Sequence, residues 1–117
     1  PCALGGVLTA AVAAQLPARG VCGAANNIFA DGSPADREAP SVLHRRGVLV
    51  VPDFVANAGA LIQGATWHLT GVAVGPERLA RIGVTAGELL DRSRREDVPP
   101  STLALQLARE RLARASA

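Results

Sequence analysis

The chain has 117 residues, enough for one domain, and is 49% apolar but only 3% aromatic, so its core must be built from Leu, Val, Ile and Ala. That suits strands covered by Ala- and Leu-rich helices better than a β-sandwich. The net charge of +2 and pI near 9.1 do not mark a nucleic-acid binder. The twelve basic residues are all Arg, interleaved with acids as in RSRRED (92–97) and ARERLAR (108–114), with no aromatic residues among them to stack on bases.

Residues 4–16, LGGVLTAAVAAQL, predict a short helix with a glycine-rich start and the apolar stripe Val7, Leu8, Val12 and Leu16, ended by Pro17 to Gly20. Residues 21–25 predict a short buried strand, and 30–40, ADGSPADREAP, a surface loop. Ser41 is placed to cap a helix through Arg46 that Gly47 stops. Residues 48–51, VLVV, are continuous rather than alternating, the pattern of a strand covered on both faces. Residues 55–69 have helical length and few charges but carry Gly59 and Gly64, which reads as a buried helix. Pro76 opens PERLARIGVTAGELLDRSRRED. A last helix follows Pro99-Pro100, with Ser101 as cap and the stripe Leu105, Ala108, Leu112 and Ala115. Buried-type strands alternating with helices predict an α/β fold around a parallel sheet, whose ligands bind outside the carboxyl ends of the strands.

PCALGG (1–6), GAANN (23–27) and VPDFVANAG (51–59) all fall at that edge. Asn26 and Asn27 there are either turn formers or amides that offer a ligand both a donor and an acceptor. Asn57 interrupts an apolar helical stretch, as a satisfied amide or N-cap with Ala58 and Gly59 as close-packing residues, or as a ligand-facing amide with Gly59 letting a backbone approach. Asp53 after Pro52 reads as a cap for the next helix. His44 and His68 are isolated, His44 as a surface residue near a helix end and His68, next to Trp67, as a packing residue rather than the flank of a pocket, and nothing in their spacing supports a metal. Cys2 and Cys22 form no CxxC, and Cys2 has no identifiable base to make it a nucleophile. No G-x-G-x-x-G or P-loop occurs. No apolar run approaches the roughly 20 residues that span a bilayer, and with no signal peptide the expected location is the cytoplasm, with no membrane partner. The start at Pro1 leads us to expect a piece of something longer.

In this order and spacing, PCALGGVLT, GAANNIFAD and RRGVLVVPDFVANAG resemble the C-terminal half of the NAD-binding domain of the glutamate/leucine/phenylalanine/valine dehydrogenase superfamily, most of all its leucine and phenylalanine branch. The resemblance extends through DVPPSTLALQLARERLARA to cover nearly the whole chain. It implies the second half of a Rossmann-type, doubly wound, mainly parallel sheet, truncated, as a single partial domain over 1–117 with 76–117 as a C-terminal helical segment. It further implies NAD as cofactor, an L-amino acid or 2-keto acid as substrate, oxidative deamination as the reaction, and a homo-oligomeric parent. By position, Cys2, Ala3, Ala24, Ala25 and Asn26 would lie against the cofactor, and Asn26, Asn57, Leu61 and Gly64 against the substrate, the last two shaping an apolar side-chain pocket. The sequence departs from the family's NAGG at Ala60 and places Trp67-His68 where an acid is common. The family's catalytic Lys and Asp and its pyrophosphate turn match nothing in these residues, so the chain alone is not expected to turn over. The rival expectation is a non-catalytic α/β binding or regulatory module.

Overall fold

The computed structural model describes residues 4–115. Four short lengths of chain pair in parallel, two by two. β1 (Gly20–Val21) pairs with β2 (Leu49–Val50) in the register Gly20 to Leu49 and Val21 to Val50. Leu49 N–H donates to the Arg19 carbonyl and Val51 N–H to the Val21 carbonyl. Separately, Leu8 bridges Phe29 in parallel, held by Leu8 N–H on the Ile28 carbonyl at 2.8 Å and Ala30 N–H on the Leu8 carbonyl at 3.1 Å. The strand expected over 21–25 is confined to β1, because its partner stops: Pro52, which has no N–H to continue a ladder, turns the chain into a helix.

The helix expected over 4–16 is shorter. Gly6 adopts φ +74° and residues up to Leu8 run extended; only then does Thr9 cap α1 (Ala10–Gln15), its hydroxyl accepting from Val12 N–H. The buried positions are accordingly Leu8 and Ala13, while Val7 and Val12 face solvent. Within the expected loop, a 3₁₀ turn (Asp36–Glu38) leads into α2 (Ala39–Arg45). Pro40 occupies the first turn of α2, so Ser41 lies inside the helix rather than capping it. Gly47 stops the helix as expected, in the left-handed region at φ +70° with its N–H on the His44 carbonyl.

α1 and α2 cover the sheet around one core: Leu8, Ala13, Ala25, Ile28, Ala39, Leu43, Val48 and Val50. Arg46 ties them together, donating to the Ala13 carbonyl at 2.6 Å and the Leu16 carbonyl at 3.1 Å, the open end of α1. A second, smaller core joins Leu89 of α5 (Pro76–Glu96) to Leu103 and Ala104 of α6 (Pro100–Ala115), with Val55 packed against it. Ser101 lies inside α6, which starts at Pro100, and Leu105 and Leu112 of the expected stripe are exposed. His44 in α2 links the two cores: its Nε2 lies 3.0 Å from Asp97 Oδ1 in the α5–α6 turn, and since a carboxylate only accepts, Nε2 carries the proton.

The expected helix over 55–69 divides at Asn57 into α3 (Asp53–Ala56) and α4 (Ala58–Thr70). α4 buries no residue: Leu61, Trp67 and Leu69 are 74%, 61% and 80% exposed, and His68 beside them is exposed rather than packed. Its low charge reflects an apolar surface without a cover. The radius of gyration, 15.4 Å, exceeds the roughly 13 Å of a compact domain of this length. The 7703 Å² of accessible surface likewise exceeds the roughly 6,000 Å² of a compact monomer of this mass. The architecture is a small parallel sheet flanked by helices, part of a Rossmann-type α/β arrangement.

Candidate functional site

The described residues of the three chain stretches converge. Gly6 N–H donates to the Asn27 carbonyl at 2.8 Å, so the end of the first stretch lies directly on the loop that follows β1. The approach requires a glycine: a Cβ on Gly5 would stand 3.1 Å from the Asn27 carbonyl oxygen and 3.3 Å from that of Asn26. From the other side, Asp53 Oδ2 accepts the Asn27 backbone N–H at 2.6 Å. Asp53 therefore does not cap its own helix, whose N-cap is Pro52; the carboxylate reaches across to the neighbouring strand end. Asn27 sits at φ +52°, a conformation Asn tolerates better than most side chains.

The side chain of Asn57, at the junction of α3 and α4, makes no capping bond to α4. Its Nδ2 donates to the Ala25 carbonyl at 3.3 Å and to Asn26 Oδ1 at 3.0 Å. Ala25 is buried, while Ala24 and Asn26 are exposed. The result is a pair of amides at the carboxyl edge of the sheet with one face engaged and one free. Among the described residues, Asn26 Nδ2 and Asn57 Oδ1 have no partner. Two donors beside one acceptor complement a group that itself carries an acceptor and a donor side by side, such as a primary carboxamide.

The structure joins Asn26 and Asn57 directly and sets Ala24 and Ala25 in the same loop. Cys2 and Ala3 lie outside the described residues. Leu61 and Gly64 are on α4, beyond Asn57 and without a hydrogen bond to the amide pair; Leu61 borders a shallow hollow of about 310 Å³ with Ile62, Ala65 and Leu69. Gly59 packs instead of yielding to a ligand, its Cβ direction meeting Ile82 at 3.8 Å and Leu79 at 4.0 Å on α5. A cleft of about 900 Å³ is bordered by Gly5, Asn27, Asp31, Arg37 and Asp53, but neither Asn26 nor Asn57 is in its wall. Gly5 and Asp53 are the positions whose part sequence reasoning missed; the double glycine of PCALGG was the available signal. Among the described residues no group of His, Cys, Asp and Glu could hold a metal, Cys22 is a free exposed thiol, and no helix is long and apolar enough to cross a membrane.

A parallel α/β edge with convergent amides is the general form of a nucleotide or small-molecule site. Residues 1–66 match the family Glutamate/Leucine/Phenylalanine/Valine dehydrogenase. The chain is 38% identical over 120 residues to the valine dehydrogenase of Streptomyces albus, covering 100% of this chain and 31% of that protein. It is 31% identical over 115 residues to the leucine dehydrogenase of Bacillus cereus, covering 97% and 30%. The crystal structure of L-tryptophan dehydrogenase from Nostoc punctiforme superposes with a TM-score of 0.76 at 28% identity, over 97% of this chain and 34% of that one. The chain belongs to the glutamate/leucine/phenylalanine/valine dehydrogenase family and spans about a third of the length of these relatives.

Proposed function

We propose that the chain is the part of an NAD-dependent L-amino-acid dehydrogenase that positions the nicotinamide and the substrate during oxidative deamination of a branched-chain or aromatic amino acid to its 2-keto acid and ammonia. The observation that carries this reading is the amide pair, Asn26 and Asn57, held at the carboxyl edge of the sheet with two donors and an acceptor free. Cys2, Ala3, Ala24, Ala25 and Asn26 border the cofactor in this reading. Asn26, Asn57, Leu61 and Gly64 border the substrate, the exposed Leu61 and the open space at Gly64 forming an apolar wall for its side chain. The fit is to the carboxamide end of the cofactor alone, since no glycine-rich phosphate cradle occurs in these residues. When bound, the cofactor supplies the hydride acceptor; the work of this chain is orientation, which turns an encounter into a reactive geometry. The intact enzyme is proposed to be a cytoplasmic homo-oligomer.

The test is a titration of the ¹⁵N-labelled chain, followed by NMR, with nicotinamide mononucleotide and with AMP. Shifts at Ala24, Asn26 and Asn57 with the first and not the second are expected. Equal shifts with both, or shifts confined to other residues, overturn the reading. For the substrate, L-leucine and L-phenylalanine should move Leu61 and Gly64 where L-glutamate does not.

A further inference from the structure

We infer that Asn57 is a positioning residue: it fixes the carboxamide of Asn26 so that only hydrogen-bond donors face outward. The Ala25 carbonyl can only accept, so the Asn57 atom 3.3 Å from it is the nitrogen. That nitrogen's second hydrogen then points at the Asn26 side chain at 3.0 Å, and what meets it there must be an acceptor, Oδ1. Turning the Asn26 amide over would set two N–H groups against each other. A backbone carbonyl thus dictates, through Asn57, which face of Asn26 is presented.

The backbone that follows Asn26 is fixed independently of Asn57. Asn27 N–H is held by Asp53, the Asn27 carbonyl by Gly6 N–H, and Gly5 packs against both carbonyls. The side-chain torsions of Asn26 are what remains, and Asn57 sets them. The free atoms then have assigned roles: Asn26 Nδ2 takes an acceptor on the ligand, a carbonyl or carboxylate oxygen, and Asn57 Oδ1 beside it takes an N–H. An ammonium group is therefore met by Asn57 and refused by Asn26. The identity of the ligand rests on the function proposed above; the orientation of the two amides does not.

The experiment reads the orientation in the ligand-free chain, where three asparagines and three glutamines contribute side-chain NH₂ signals, few enough to assign one by one. Hydrogen exchange of these signals with water is measured in the wild type, Asn57→Ala and Asn57→Asp. In the wild type the Asn57 NH₂ should exchange about fivefold more slowly than that of Asn26, the factor that one net neutral hydrogen bond supplies. Asn57→Asp leaves only acceptors at that position, so Asn26 turns its amide over and its NH₂ becomes the slow one. Asn57→Ala leaves Asn26 fast, which separates loss of the lock from its inversion. A slow Asn26 NH₂ in the wild type, or an unchanged Asn26 in Asn57→Asp, overturns the inference whether or not a nicotinamide binds. If the variants fail to fold, the wild-type rates alone decide it.

Discussion

A methyl group added at Gly5 would sit 3.1 Å from the Asn27 carbonyl oxygen, 3.3 Å from the Asn26 carbonyl oxygen and 3.4 Å from Asn27 Cβ. The loop has little room to retreat, since the Asn27 carbonyl accepts from Gly6 N–H at 2.8 Å and Asn27 N–H donates to Asp53 at 2.6 Å. Overpacking of this kind costs roughly 1–3 kcal/mol, and the stiffer unfolded chain of the Gly5→Ala variant offsets about 0.4–1 kcal/mol of that, leaving a net loss of about 1.5 kcal/mol. With an unfolding entropy of about 2.1 cal/mol/K per residue, the melting temperature of a chain this long should fall by about 6 °C. Circular dichroism melts give the answer, with Gly32→Ala as control because nothing lies within 4 Å of its added Cβ. A Gly5→Ala variant that melts at or above the wild-type temperature, beside a neutral or stabilised control, refutes the close approach.

Two further outcomes are expected. Leu43, 0% exposed at the centre of the first core, should lose about 2–5 kcal/mol on substitution by Ala, measured as a lowered urea midpoint; a loss below about 1 kcal/mol would mean that this core is not packed as described. The uncovered Leu61, Trp67 and Leu69 should make the isolated chain self-associate as concentration rises, so that sedimentation coefficients increase and the emission of its single tryptophan moves to the blue together. A concentration-independent monomer with unshifted emission would defeat that.

What could be read in advance divides along physical lines. The strand near Val48 to Val51, the stop at Gly47 and the helix opened by Pro76 were legible because each is a local signal: a continuous apolar run, a left-handed glycine, a proline at a first turn. The caps assigned to Ser41 and Ser101 fail for a shared reason, since the preceding proline already lies in the first turn of each helix. The start of α1 was missed because the alternative use of Leu8, pairing beside Phe29, depends on residues about twenty positions away. The sequence of α4 points to burial because apolar composition reports a preference for cover and says nothing about whether a cover is at hand. At the candidate site, the convergence of the three stretches followed from the parallel topology, but the crosslinks did not. That Asp53 would serve Asn27, and Asn57 serve Ala25 and Asn26, is a matter of angstroms that residue types leave open.

Those crosslinks also set an order of events during folding. The hydrogen bonds that hold the loop from Ala25 to Asn27 join residues 21, 26, 31 and 32 positions apart, and none is local. α3, with four residues, is too short to persist as a helix unaided, so Asp53 and Asn57 reach their places only after the connection between β1 and β2 has closed and lost its entropy. The core around Leu43 draws on residues from both sides of that crossover, so core and amide pair depend on the same closure. A small loosening of the sheet is expected to silence the pair before the protein unfolds.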